Sequence, residues 1–383
     1  MDIIVNAIPL TGLLTGISRY VRCLYRELQT VPGISMTYFT GSAQVSAMPQ
    51  QAEPHAWSKG TEMIWRLPDV VVSSMRTVNQ LNFERRLRRA SRNRQYTIYH
   101  ETAFFPAALR EVPVVYTLYD ISLIKYRAEH PRERVWFFDL FFKRRLPYAA
   151  HILTISNFMR NELIETLKIP EDAVTAIPLA HDPCFYPRSQ QDVVKMLDFK
   201  NLPKEYILFV GTLEPRKNLS LLIKALSRTK NKIPLILTGW KGWGDKTWLL
   251  EVKALGLEKQ IYFTDYVDDE TLACLYSGAV SLAYPSVYEG FGLPILEAMA
   301  CGCPVICSNV ASMPEVAGDA AVLFDPRNAD DLAMAIDHVA GDPGARRRLI
   351  QKGFDRAASF TWRKTAERTL DVFSRVSEEA GTL

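Results

Sequence analysis

Short apolar runs recur along the chain, and each reads as a buried strand. They fall at residues 3–7, 36–40, 97–100, 114–119, 152–155 and 174–177, then at 207–210, 235–238, 261–263, 280–284, 305–308 and 321–324. Within a run the side chains are apolar without alternation, as in Ile207-Leu208-Phe209-Val210. A strand of that kind is covered on both faces, which points to a parallel sheet between helices. Helix-length segments separate most of the runs, so the pattern predicts an α/β chain with helical crossovers. Two successive series of strands predict two doubly wound, Rossmann-like domains. The polar, proline-bearing stretch 181–190 lies between them and predicts domains over 1–186 and 187–360.

The densest chemistry lies in Glu289-Gly290-Phe291-Gly292-Leu293-Pro294-Ile295-Leu296-Glu297. The glycines let backbone approach a ligand closely. Pro294 suits the first turn of a helix, which Gly302 and Pro304 then end. Glu289 is therefore expected on a loop and Glu297 inside the helix. In one continuous helix the two carboxylates would stand roughly 12 Å apart, too far to share a proton or a metal. They suit the two ends of an elongated polar ligand, with a phosphate between them at the helix N-terminus. A nucleotide sugar fits that description.

Such a ligand needs cations. The run 206–210 ends at Gly211 and is followed by Thr212-Leu213-Glu214-Pro215-Arg216-Lys217-Asn218, then by an apolar-periodic helix over 219–226. Arg216 and Lys217 thus sit at the C-terminal end of a strand, where open α/β sheets bind ligands. The alternative is a solvated helix start, but a cation there is mildly unfavourable and an anionic partner explains the pair better.

These two segments, with Tyr284 to Val305, Pro314-Glu315-Val316 and Phe324-Asp325-Pro326, resemble the GT4 family of retaining glycosyltransferases with the GT-B fold. The resemblance covers the C-terminal half closely. It runs more loosely through Leu10 to Tyr20 and Ile155-Ser156-Asn157-Phe158. It implies two Rossmann-like domains facing a central cleft, an acceptor-binding one and a donor-binding one. It also implies a last helix, over 361–383, crossing back onto the first domain after Ser359-Phe360-Thr361-Trp362.

By resemblance, Glu297 accepts from the ribose hydroxyls and Glu289 contacts the transferred sugar. Gly211, Gly290, Phe291, Gly292 and Leu293 bring backbone to sugar and phosphate, and Arg216 and Lys217 neutralise the departing diphosphate. Base recognition is expected along 239–243 and 265–267. Gly16 is expected in the loop before a helix over 17–28, near diphosphate or acceptor, and Ser18 stands where many relatives have a glycine. Tyr119 replaces a common histidine before Asp120. It offers the donor a hydroxyl or an apolar ring face, or is simply structural, while Asp120 is placed to orient an acceptor hydroxyl. His100 and Glu101 are alternative residues of the same kind. The mechanism implied is front-face attack with retention, without a protein nucleophile.

Composition adjusts this picture at a few points. The 383 residues, 48% apolar and 23% charged, suit a globular chain of two domains. No apolar run reaches the ~18 residues of a membrane span, and the N-terminus lacks a basic leader. The six cysteines show no secreted-type spacing, so a cytoplasmic setting is expected. Cys301, Cys303 and Cys307 read as small buried residues rather than a metal site. No Asp-x-Asp triplet occurs, so no metal cofactor is expected. The stretch 81–94 carries six arginines, and 135–145 places five aromatics beside a basic cluster. Together they fit either a peripheral contact with an anionic membrane surface or an ordinary basic helix and aromatic core helix. Net charge of +4, without a nucleic-acid motif, argues against nucleic acid as a partner.

The expected enzyme moves a hexosyl group, mannose or rhamnose, from a GDP-linked donor to a glycan or lipid-linked glycan. This follows a resemblance to bacterial transferases of O-antigen and other surface-polysaccharide assembly. The alternatives are a UDP- or dTDP-sugar-dependent relative, a phosphorylase or epimerase of the same fold, or a donor-binding scaffold subunit.

Overall fold

The computed structural model describes residues 1–12, 15–50, 67–92, 96–103, 105–240, 242 and 247–381. Parts of four expected features lie outside them: Leu13 and Leu14, Asn93 and Arg94, Lys241 and Trp243, and Thr382 and Leu383. The chain divides into two compact units, Met1–Leu179 with Trp362–Leu383, and Ala180–Thr361. The junctions therefore fall at 179/180 and 361/362, rather than at 186/187 and 360/361.

The first unit holds β1 (Asp2–Asn6), β2 (Ser35–Phe39), β3 (Gln44–Val45), β4 (Ile98–Glu101), β5 (Val114–Leu118), β6 (Ala149–Thr154) and β7 (Val174–Ala176). Their order across the sheet is β3-β2-β1-β4-β5-β6-β7. All the pairings are parallel except β2 with β3. Strand β3 is absent from the apolar pattern because it is a two-residue antiparallel edge. Strand β6 begins earlier than its apolar run. The register shifts between Val114 and Val115, and β6 carries the polar His151, which is tied to Thr175 at 2.9 Å. The helix Trp362–Gly381 completes this unit. Its Thr365 hydroxyl donates to Pro178 O and its Arg368 to Ala176 O, both at 2.8 Å.

The second unit holds β8 (Ile207–Val210), β9 (Leu235–Thr238), β10 (Ile261–Phe263), β11 (Ser281–Tyr284), β12 (Val305–Ser308) and β13 (Ala321–Phe324). The sheet is fully parallel in the order β10-β9-β8-β11-β12-β13. Ile207, Phe209, Leu235, Leu237 and Ile306 pack against Leu222, Ile223, Leu332, Ile336 and Val339 from the flanking helices. Cover on both faces is why these strands read as unbroken apolar runs.

One expectation is corrected here, and one open alternative is narrowed. Gly16 is not in a loop: it is the first residue of the helix Gly16–Leu28. Thr15 and Ser18 form a capping box, each side chain meeting the other's backbone N–H, and this starts the turn one residue early. Ser18 is thus a helix-starting residue. The aromatic cluster of 135–145 is mostly core, since Phe137, Phe138, Phe141 and Phe142 are buried in the helix Arg132–Arg145 and only Trp136 is exposed. The basic cluster is partly consumed by internal pairing. Buried Glu84 takes Arg145 at 2.8 and 2.9 Å and Arg88 at 3.7 Å. Arg85, Arg89 and Arg92 remain exposed on the helix Asp69–Arg92.

Candidate active site

In the second unit the chain winds one way through β8, β9 and β10, then the other way through β11, β12 and β13. The winding reverses between β8 and β11, and open α/β sheets bind ligands beyond the carboxyl ends at such a point. Gly211 to Lys217 leave β8 there, and Pro285 to Leu293 leave β11.

The two segments grip each other. Lys217 Nζ donates to Glu289 Oε1 at 2.5 Å and to Tyr284 Oη at 3.1 Å. Arg216 Nη1 donates to Tyr288 O at 2.7 Å and to Glu289 Oε2 at 3.2 Å. Arg216 Nη2 reaches Glu214 Oε1 at 2.5 Å. The side chains of Arg216 and Lys217 are only 13% and 11% exposed, which rules out a solvated helix start. Burial alone would raise the Glu289 carboxyl, but Lys217 and Arg216 beside it hold it down at about 2. Two cations and two carboxylates thus form a charge-balanced buried cluster. Glu214 was not singled out in the sequence, although its place two residues before Arg216 marks it as a counter-ion.

Backbone geometry explains the glycines. Gly211 takes φ +151°, and an added Cβ would meet Lys217 Cε at 3.5 Å. Gly239, at φ +141°, lies so close to Gly211 that a Cβ would stand 2.1 Å from Gly211 O. The loops after β8, β9 and β10 are stitched by Gly211 N to Thr238 O, Gly239 N to Asp265 O and Leu213 N to Trp240 O, at 3.0, 3.0 and 2.9 Å. The Trp240 and Tyr266 rings lie 5.4 Å apart in the same region. Gly292, at φ +107°, precedes the helix Leu293–Ala300, and Ile295 N of its first turn donates to Gly292 O at 2.9 Å. Gly290 and Phe291 are buried in the loop. Glu297 lies in the helix, 5% exposed, and accepts from Tyr276 Oη at 3.1 Å. Glu289 and Glu297 are therefore held by different partners.

In the first unit the winding reverses between β1 and β4. Asn6 Nδ2 donates to Glu101 Oε1 at 2.5 Å, and the Thr102 hydroxyl donates to Asn6 O at 2.6 Å. Tyr119 donates its hydroxyl to Thr102 O at 3.0 Å and sets its ring edge-on to Tyr20. The proton of that hydroxyl is engaged. Asp120 accepts from Ser122 N at 2.9 Å in a local turn. His100 is fully buried, with Nδ1 at Tyr25 Oη and Nε2 at Thr117 Oγ1, both 2.7 Å, and burial lowers it to about 3. It is a core residue. Cys301, Cys303 and Cys307 are buried, with thiols raised by desolvation, and among the described residues no group of metal-ligating side chains gathers.

A family model described as Glycosyl transferases group 1 matches residues 197–356, and one described as Glycosyltransferase Family 4 matches 14–183. The chain is 34% identical to O-antigen chain mannosyltransferase B of Escherichia coli, over 97% of this chain and 99% of that one. It is 32% identical over 61% of its length to the serotype-specific mannosyltransferase WbdA of Escherichia coli, a match spanning 29% of that protein. Sucrose-phosphate synthase from Thermosynechococcus elongatus shares the fold, with a TM-score of 0.74, 22% identity and 98% of each chain covered. The matches to both halves and the full-length relative place this chain in glycosyltransferase family 4, with the GT-B fold.

Proposed function

We propose that this glycosyltransferase moves mannose, with retention, from a GDP-linked donor to a glycan or lipid-linked glycan of a bacterial surface polysaccharide. The observation that carries the donor site is the cluster of Arg216, Lys217 and Glu289 at the reversal between β8 and β11. The full-length similarity to an O-antigen chain mannosyltransferase supports the sugar and the pathway class.

The chemistry follows from the charges. The bond from the anomeric carbon to the phosphate oxygen breaks, and the acceptor hydroxyl adds on the same face. Its proton passes to the departing phosphate oxygen. Negative charge builds on the diphosphate, and Arg216 and Lys217 are buried donors placed to meet it. Losing one such donor costs about 10²–10³ in rate. Glu289, held at about 2, stays ionised and is a poor proton acceptor at neutral pH. Its role is to accept from sugar hydroxyls and to favour positive charge on the ring. Glu297 offers two acceptor atoms to the ribose diol. Gly16, Tyr119 and Asp120 belong to the acceptor-binding unit in this reading. The two cations supply the counter-charge, and no metal cofactor is assigned.

Thermal stabilisation by GDP-, UDP-, dTDP- and ADP-linked sugars, with and without EDTA, tests this reading. GDP-mannose should stabilise the wild type but not Glu297→Ala, and EDTA should leave the shift intact. A shift with only UDP- or dTDP-sugars would overturn the donor assignment, and loss with EDTA the metal-free one. No shift with any of them would favour a scaffold.

The exposed Arg85, Arg89 and Arg92, with exposed apolar residues Val78 and Leu81 on the same helix and Trp136 on the helix Arg132–Arg145 packed against it, favour a peripheral contact with an anionic membrane at the cytoplasmic face.

A further inference from the structure

Ser312 directly precedes the short helix Met313–Ala317, where a serine ordinarily accepts from the N–H groups of its own first turn. Here it does not. Its backbone is already helical, at φ −78° and ψ −10°, and its side chain makes no capping bond. The hydroxyl points instead across the carboxyl end of the sheet. It lies 2.9 Å from Glu289 O and 2.8 Å from Phe291 O, sharing its one proton between the two carbonyls. Ser312 is fully buried, so water does not substitute for it. The residue before it, Ala311, is held at φ +55°, a left-handed conformation that a non-glycine residue adopts only when its surroundings impose it.

The segment clasped by Ser312 is the one that carries the Glu289 carboxylate. Its other end is held from β8: Val287 N donates to Arg216 O at 2.9 Å, and Arg216 Nη1 donates to Tyr288 O at 2.7 Å. The loop is therefore pinned at 287–288 by Arg216 and at 289–291 by Ser312. The two carbonyls that Ser312 holds flank Gly290, whose backbone resists rotation least, so the second pin acts where the loop turns most easily.

We propose that Ser312 is a positioning residue for sugar transfer: it fixes the Glu289–Phe291 backbone so that the Glu289 carboxylate meets the transferred sugar in one geometry. This rests on the reading of Glu289 as a sugar contact. Ser312 itself touches no substrate, and the strained Ala311 turns its hydroxyl away from the cap and onto the loop.

The test is a double-mutant cycle on the full chain, reading GDP release from GDP-mannose and GDP affinity. Ser312→Ala should lower kcat about 10–100-fold while GDP affinity changes less than about threefold, as misplacement of a reacting geometry predicts. In a Glu289→Gln background, already slowed, the same substitution should cost less than about twofold, because the group it positions is gone. A residue that merely supports the fold would cost the same in both backgrounds, and that result overturns the proposal. Wild-type kcat in Ser312→Ala beside a slow Glu289→Gln overturns it while sparing the reading of the site. Wild-type kcat in Glu289→Gln overturns both. Should Ser312→Ala not fold, Ser312→Cys, which keeps a weaker donor, takes its place with an intermediate loss expected.

Discussion

Burial at the end of β4 pushes the Glu101 carboxyl up to about 7, against hydrogen bonds from Tyr99, Asn6 and Ala103 N. The folded protein therefore holds a proton there that the unfolded chain releases above the ordinary glutamate range. His100 and His151, lowered by burial to about 3 and about 4, favour the folded state as pH rises to about 6.5, whereas the contribution of Glu101 alone should fall from about pH 4.5 to 7 and then level off, by about 3 kcal/mol at most. Glu289 acts in the opposite sense, but only below that window, as pH falls toward its value of about 2. Glu101→Gln keeps an acceptor for Asn6 and Ala103, so its melting temperature relative to the wild type should rise from pH 4.5 to 7 and stay level above. A slope unchanged in the variant would locate the titration elsewhere. Neither Glu101 nor Ser312 announces its role in the sequence. Glu289, Glu297, Arg216 and Lys217 are legible because they stand in local motifs with a glycine bend, a helix start or a strand end nearby. The Asn6 partner of Glu101 and both partners of Ser312 lie far along the chain, and only folding brings a serine at 312 under carbonyls at 289 and 291.

Strands β8, β9 and β12 coincide with their apolar runs because each is covered on both faces and bounded by turn residues, and the half-buried edge strands β10 and β13 coincide with theirs as well. The first unit is less legible at its strand ends, where β6 starts in polar sequence beside the register shift at Val114 and β3 is too short to leave a pattern. The loops after these strands are the more demanding parts. Gly239→Ala would place a Cβ 2.1 Å from Gly211 O, backbone against backbone, with no flexible side chain to give way. Overpacking of this kind costs about 1–3 kcal/mol or more, and here it separates the loops after β8 and β9. We expect Gly239→Ala to lower the melting temperature and abolish stabilisation by nucleotide sugars, whereas Gly256→Ala, with open space around it, should retain both properties apart from a modest backbone penalty at φ +66°. Nucleotide binding preserved in Gly239→Ala would show that the close approach is not needed by the donor site.

Among the described residues, no helix is long and apolar enough to cross a membrane. The proposed peripheral contact is one of surface residues, and the structure narrows which of them contribute. The phenylalanines of Arg132–Arg145 are spent on the core and Arg145 on Glu84, leaving Arg85, Arg89 and Arg92 with Val78, Leu81 and Trp136. Each arginine near an anionic surface contributes about 1 kcal/mol, so changing all three to glutamine should weaken vesicle binding by about 100-fold. Co-sedimentation should occur with vesicles containing phosphatidylglycerol, decline with salt, and be absent with phosphatidylcholine alone. Equal sedimentation with both lipids, or with neither, would remove the electrostatic contact from the account.

The first unit is discontinuous: its sheet is finished by Leu179, but its last helix begins at Trp362. The buried face of that helix includes Phe373, against His100 at 5.2 Å, and Trp362, against Tyr20 at 6.3 Å. Chains generally fold from the N-terminus as they leave the ribosome. This one reverses that order, because the whole of Ala180–Thr361 emerges while the earlier sheet still waits for its cover. The segment synthesised second is therefore the first able to complete its core. Until Trp362–Gly381 emerges, the aromatic seam at Tyr20 and His100 lacks the cover that this helix gives it, and a chaperone would then have most to hold.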